Sequence, residues 1–171
     1  MGERAGAVTF MGAPLTLLGE ELKEGSLAPD CVLLDNDLNE VRLSDWADKV
    51  RIIATVPSLD TPVCDLETRR FNTEAASLGS DVAILTVSMD LPFAQKRWCG
   101  AAGVEQVKTL SDHREAALGM AFGVLIKELR LLARAVFVVD KTGTVRHVQL
   151  VKEVTQEPDY AAVLEAVKKC A

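Results

Sequence analysis

The sequence predicts an α/β fold, a central mixed sheet flanked by helices, with β-hairpin additions at the N-terminus. Apolar runs at residues 50–56, 81–87 and 135–140 are nearly continuous, as strands covered on both faces require. Helical stretches separate these runs, which argues for helices packed on a sheet. The first 43 residues read differently, as short strands paired around turns. With 171 residues, 49% of them hydrophobic, the chain suits one domain over residues 1–171 with its own core.

Residues 7–10 and 15–18 read as two strands around the turn Met11-Gly12-Ala13-Pro14. Residues 31–35 and 41–43 form a second pair around Asn36-Asp37-Leu38-Asn39. The run 50–56 is a buried strand, 63–78 a helix, and 81–87 a second buried strand. A helix over 92–101, a short strand over 107–110 and a helix over 114–122 follow. Residues 135–140 are a strand that turns at Lys141-Thr142-Gly143-Thr144 into a partner over 145–154, and 159–169 closes as a helix. This order, βαβ, helix, ββα, is the layout of a thioredoxin-like fold.

The net charge is −6 and there is no basic run, so nucleic acid and anionic membrane are not expected partners. The longest uncharged run covers residues 5–19 and is broken by Gly6, Gly12 and Pro14, too short and too interrupted to span a bilayer. It also makes a poor signal peptide, with Glu3 beside Arg4 and no continuous apolar core, which points to a cytoplasmic protein. Four cysteines, Cys31, Cys64, Cys99 and Cys170, are too few for a disulfide scaffold and contain no C-x-x-C pair. His113 and His147 stand at no metal-ligand spacing from them, so no metal site is expected.

Cys64 has the most informative surroundings. Val56-Pro57-Ser58-Leu59-Asp60-Thr61-Pro62-Val63-Cys64 leaves a buried strand and enters a helix. Thr61 suits the N-cap and Pro62 the first helical position, which puts Cys64 in the first turn. Unpaired N–H groups and the helix dipole favour an anion there, and the thiolate is the nucleophilic form of cysteine. An ordinary thiol is only about 3% ionised at pH 7. A helix terminus lowers a pKa by at best ~1.5 units, so the chemistry also asks for a cation. Asp60 and Asp65 oppose activation if their carboxylates face the sulfur. Read alone, the segment also allows an inert buried cysteine, a plain Thr61 cap and a Pro57 that merely ends a strand.

The pattern Pro57-x-x-x-Thr61-x-x-Cys64 resembles the signature of the peroxiredoxins, thiol-dependent peroxidases on a thioredoxin-like fold. Three further segments are similar to the thiol peroxidase subfamily, the bacterial atypical two-cysteine peroxiredoxins. They are residues 90–100 around Cys99, residues 132–140 around Arg134, and Glu157-Pro158-Asp159-Tyr160. The likeness runs in order over nearly the whole chain. It implies that Cys64 attacks hydrogen peroxide or an alkyl or lipid hydroperoxide and becomes a sulfenic acid. Arg134 would be the required cation, holding the thiolate and polarising the peroxide. Thr61 would hydrogen-bond the sulfur or the peroxide, and Pro57 would shield the sulfur from water.

The same resemblance assigns Cys99 as the partner of an intramolecular Cys64–Cys99 disulfide, recycled by thioredoxin. It implies a homodimer with the active-site face at the interface, and no flavin, haem or metal cofactor. Cys170 is the other candidate partner, because some peroxiredoxins resolve from a C-terminal cysteine across a dimer; Cys31 reads as core. A disulfide needs Cα atoms about 4.4–6.8 Å apart, so the first turn at Cys64 and the Cys99 helix are expected to rearrange in each cycle. Val56 stands where the subfamily often carries a bulky aromatic residue, and residues 124–132 lack the glycines expected there. The apolar character of that connection suits an alkyl hydroperoxide or a dimer contact. A redox sensor or chaperone-like binding protein using the same disulfide switch is the alternative function; turnover with a reductant separates the two.

Overall fold

The computed structural model describes residues 2–170. Its main sheet has seven strands in the order β11-β10-β5-β6-β7-β3-β4. In chain order these are β3 (Val32–Leu34), β4 (Glu40–Arg42), β5 (Val50–Thr55), β6 (Val82–Ser88), β7 (Val107–Ser111), β10 (Ala135–Val139) and β11 (Val145–Leu150). The β5, β6 and β7 strands run parallel, and β10 runs antiparallel to β5. A four-stranded sheet joins β1 (Glu3–Phe10) and β2 (Ala13–Leu18) to β8 (Leu125–Ile126) and β9 (Leu131–Leu132). The helices are α1 (Pro62–Leu78), α2 (Pro92–Ala102), α3 (Ala117–Ala121) and α4 (Tyr160–Lys169).

Side chains alternate across each strand, so each face of the main sheet collects every second residue. Val50, Ile52 and Ala54 of β5, with Val136 and Val138 of β10, meet Phe71 of α1 and Val163 and Val167 of α4. Ile53, Leu85 and Phe137 face the opposite side, where Leu118 and Phe122 and the small sheet's Leu17, Ile126 and Leu132 cover them. The expected mixed sheet with flanking helices is therefore present, and the small sheet covers much of the second face.

Four local expectations change. The pair β3–β4 is the edge of the main sheet, through β3 beside β7, and only β1–β2 is an added hairpin. Residues 124–132 are not an open connection but the β8–β9 hairpin, docked on β2. Its apolar Val124, Leu125, Ile126 and Leu132 are buried core, while Leu129 stays exposed. Helix α3 starts at Ala117 rather than at residue 114. Ala116 has φ +53°, and the Asp112 carboxylate accepts the N–H groups of Leu118 and Gly119 at 3.1 and 2.8 Å. Finally, β11 stops at Leu150, and the residues after it turn away to meet the N-terminal hairpin. Thr9 N–H donates to the Lys152 carbonyl and Val154 N–H to the Thr9 carbonyl, at 2.7 and 2.8 Å.

Candidate active site

Helix α1 begins as the sequence suggests, with Thr61 at the N-cap and Pro62 first. Cys64, Glu67, Thr68 and Phe71 follow at i, i+3, i+4 and i+7, and all four are fully buried. Cys64 thus lies in the first turn with its side chain inward, against Val56, Leu59 and Trp98.

The strand register explains which groups meet it. Ala135 at the start of β10 pairs with Thr55 at the end of β5. Arg134, one residue earlier, is therefore set beside the loop that leaves β5 toward Cys64. Its guanidinium is 1% exposed, which excludes a surface role. Nη2 donates to Cys64 Sγ at 3.1 Å and Nε to the Val154 carbonyl at 2.9 Å. The guanidinium is a permanent cation, so the expected positive group stands directly on the sulfur, inside the protein.

Sequence reasoning missed Glu67. Its Oε2 lies 3.7 Å from Arg134 Nη1, too far for a hydrogen bond, and both carboxyl oxygens and Nη1 lack a partner. Burial pushes the Glu67 carboxyl up to about 8, with Arg134 opposing that rise and Glu157 adding to it. A protonated Glu67 does not compete for the guanidinium, so the charge of Arg134 is directed to sulfur. The available signal was a carboxylate three residues after Cys64 on an otherwise uncharged helical stripe.

Thr61 occupies the N-cap by backbone conformation, but its hydroxyl caps no N–H. It donates to the Ser58 carbonyl at 2.9 Å, and not to the Cys64 sulfur. Pro57 is buried, and with Phe10, Thr61, Val63, Arg134 and Val154 it lines a mostly apolar cavity of about 300 Å³. Asp90 was also overlooked. Because β5 and β6 are parallel, the end of β6 lies beside the loop after β5, and Asp90 binds that loop. Its carboxylate accepts Ser58 Oγ at 2.7 Å, Leu59 N–H at 2.8 Å and Ser88 Oγ at 2.7 Å. The Asp65 carboxylate, next to Cys64 in sequence, turns outward to Trp98 and Arg69 and does not face the sulfur.

The other cysteines occupy different places. Cys99 is a free thiol on α2 whose Sγ lies 3.3 Å from Thr109 Oγ1. Thr109 Oγ1 also donates to Asn36 Oδ1 at 2.9 Å, and Asn36 Nδ2 donates to the Cys99 sulfur at 3.9 Å. Cys170 packs on α4 beside Asp140 and Arg146, in a polar cleft at the end of β10 opposite Arg134. Cys31 is 4% exposed, and burial pushes its thiol up to about 12. The structure thus joins Cys64, Arg134, Thr61 and Pro57 in one site and leaves Cys99 outside it.

Comparison with known proteins follows the same line. The Redoxin family profile matches residues 23–164. A thiol peroxidase of Halalkalibacterium halodurans is 57% identical over 162 residues, covering 95% of this chain and 97% of the relative. One of Bacillus subtilis is 56% identical over 161 residues, covering 94% and 96%. The crystal structure of a peroxiredoxin-like protein from Aquifex aeolicus superposes with a TM-score of 0.91 at 46% identity, over 99% of this chain and 100% of that one. A thiol peroxidase from Chromobacterium violaceum shares the fold, with a TM-score of 0.85 at 18% identity, over 95% of each chain. The chain belongs to the Redoxin family, among its thiol peroxidases.

Proposed function

We propose that this thiol peroxidase works through Cys64 as the attacking sulfur and Cys99 as the resolving sulfur, within a single domain. The observation that carries the reading is the Arg134 Nη2–Cys64 Sγ contact of 3.1 Å, with Cys64 fully buried in the first helical turn. A hydroperoxide enters the cavity beside Pro57 and Thr61, where its oxygens meet Arg134. The Cys64 thiolate attacks the terminal oxygen, an S–O bond forms and the O–O bond breaks. The leaving oxygen takes a proton and departs as water or alcohol, leaving Cys64 as the sulfenic acid. Arg134 stabilises the charge as it moves from sulfur to the leaving oxygen. The Thr61 oxygen, its proton committed to Ser58, accepts a hydrogen bond from the peroxide O–H.

The Cys99 sulfur then attacks the Cys64 sulfur. An S–S bond forms, the S–O bond breaks, and water leaves with the Cys99 proton. Cys64 faces Arg134 and Cys99 faces Thr109, so both segments must move for this step. A dithiol reductant, thioredoxin in this reading, restores both thiols. The apolar lining of the cavity favours alkyl hydroperoxides alongside hydrogen peroxide. Phe10 and Met11, exposed on the hairpin at the cavity, favour a homodimer formed across this face. We place the protein in the cytoplasm; no helix among the described residues is long and apolar enough to cross a membrane.

The test adds one equivalent of cumene hydroperoxide to the reduced protein and maps cysteine linkages by non-reducing peptide mass spectrometry, with Cys64→Ser in parallel. A Cys64–Cys99 bridge within one chain, absent from the variant, is expected, followed by continuous peroxide consumption with thioredoxin. A Cys64–Cys170 bridge between chains would displace Cys99. An unoxidised Cys64 would overturn the site.

A further inference from the structure

We propose that Asp65, Trp98 and Arg69 form a latch that holds the two cysteine-bearing segments with their sulfurs turned away from each other and sets how fast Cys99 traps the Cys64 sulfenic acid. The proposal rests on Cys64 and Cys99 being the redox pair. Asp65 directly follows Cys64, and Trp98 directly precedes Cys99. The Trp98 indole Nε1–H donates to Asp65 Oδ1 at 2.8 Å. Arg69 Nε donates to the other Asp65 oxygen at 3.0 Å, and its guanidinium lies 5.8 Å from the centre of the Trp98 ring. Arg69 Nη1 also reaches the Ala102 carbonyl near the end of α2, at 3.4 Å. One cluster therefore ties the first turn of α1 to the C-terminal half of α2 through the immediate neighbours of both cysteines.

Successive residues on a helix point about 100° apart. While Asp65 and Trp98 face each other, Cys64 faces Arg134 and Cys99 faces Thr109. Turning the two sulfurs together turns Asp65 and Trp98 away from each other. The Asp65–Trp98 hydrogen bond and the disulfide thus exclude one another. The indole also packs against the Val56, Leu59 and Cys64 cluster, so its departure opens the space into which Cys64 must move. The exit of α2 is built to allow this, with Gly100 in its last turn and Gly103 at φ +67° just after it.

The latch decides between two fates of the sulfenic acid. Trapping by Cys99 forms the disulfide and water. Attack on a second hydroperoxide molecule forms the sulfinic acid at Cys64 and releases an alcohol. A hydrogen bond to a charged acceptor is worth roughly tenfold in an opening equilibrium. Losing it should speed disulfide formation about tenfold and raise by the same factor the peroxide concentration at which half of Cys64 becomes sulfinic acid.

The experiment mixes reduced protein with increasing cumene hydroperoxide, quenches with an alkylating reagent, and quantifies Cys64–Cys99 disulfide against Cys64 sulfinic acid by mass spectrometry. The rate of Cys64 oxidation is taken from the same mixing series, so a change in the first step is separated from the partition. Trp98→Phe removes the donor and keeps a ring; Asp65→Ala removes the acceptor from a partly exposed position and guards against a folding defect in the first variant. Both should shift the partition about tenfold toward disulfide, and the double variant should go no further than the larger single effect. An unchanged partition in both single variants, or a double variant equal to the product of the singles, would overturn the latch. If the unsubstituted protein forms no Cys64–Cys99 disulfide at all, the redox pair fails and the latch fails with it.

Discussion

Replacing Glu67 with glutamine removes a buried ionisable group at nearly constant size, and it should flatten the dependence of stability on pH. Burial raises this carboxyl from 4.5 to about 8. Below 4.5 both folded and unfolded chains carry the proton, and Glu67 makes no pH-dependent contribution. Between 4.5 and 8 the unfolded chain releases the proton while the folded chain retains it. Stability therefore falls as pH rises through this window, by about 1.4 kcal/mol per pH unit at most. From pH 4.5 to pH 7 the loss is on the order of 3 kcal/mol. The assay is urea denaturation of the reduced protein, wild type and Glu67→Gln, at intervals from pH 5 to pH 8. Titrations elsewhere, including that of buried Asp112, occur in both proteins and cancel in the difference. The gap in stability should move in favour of the variant by a few kcal/mol as the pH rises. A gap that stays constant from pH 5 to pH 8 would refute the reasoning, because Glu67 would then be ionised in the folded protein throughout. The same variant should keep peroxidase activity, since a neutral Glu67 is the form that leaves Arg134 to the sulfur.

Arg134→Lys keeps a positive charge but loses the planar fork that reaches Sγ and the Val154 carbonyl together. The second-order rate of Cys64 oxidation should fall about 10²–10³-fold, measured by competition for peroxide; a fall of less than threefold would mean charge alone suffices. Thr61→Val should slow the same step by roughly tenfold with little change in melting temperature, and Thr61→Ser should recover most of the loss. Equal rates for all three would leave the hydroxyl without a role. Asp90→Ala releases Ser58, Leu59 and Ser88 at once. It should cost about 2–3 kcal/mol of stability in denaturant and lower kcat/KM through a loosened Cys64 loop. A variant as stable as the parent would show that Asp90 does not hold the loop.

The parts of this site that a reader of the sequence can find are those set by local chemistry. Thr61-Pro62 marks a helix start, and the apolar run before it marks a buried strand, so the position of Cys64 follows from a few residues. Arg134 is 70 residues away, and only the antiparallel register of β10 on β5 brings it to the sulfur. Its role was available through resemblance and not through spacing. Glu67 and Asp90 were missed for different reasons. Glu67 is visible only if the helical stripe from Cys64 to Phe71 is drawn out, where a carboxylate breaks the uncharged face. Asp90 acts across two parallel strands, and no feature of its own neighbourhood announces the contact. The β8–β9 hairpin was hidden because strands of two residues carry no periodicity, and Thr61 illustrates that a good cap residue can hold the position without making the capping bond.

The N-terminal hairpin, an appendage in the order of elements, is wired into the chemistry through a single carbonyl. Val154 receives Arg134 Nε and gives its own N–H to Thr9, while Phe10 walls the cavity. A protein engineered to begin after this hairpin would retain every strand of the main sheet and all four cysteines. It would lose the brace behind its guanidinium and one wall of the apolar cavity beside Pro57 and Thr61. Deletions, bulky tags or proteolytic nicks at this end are thus alterations of the candidate active site, even though no residue named in the proposed reaction is touched.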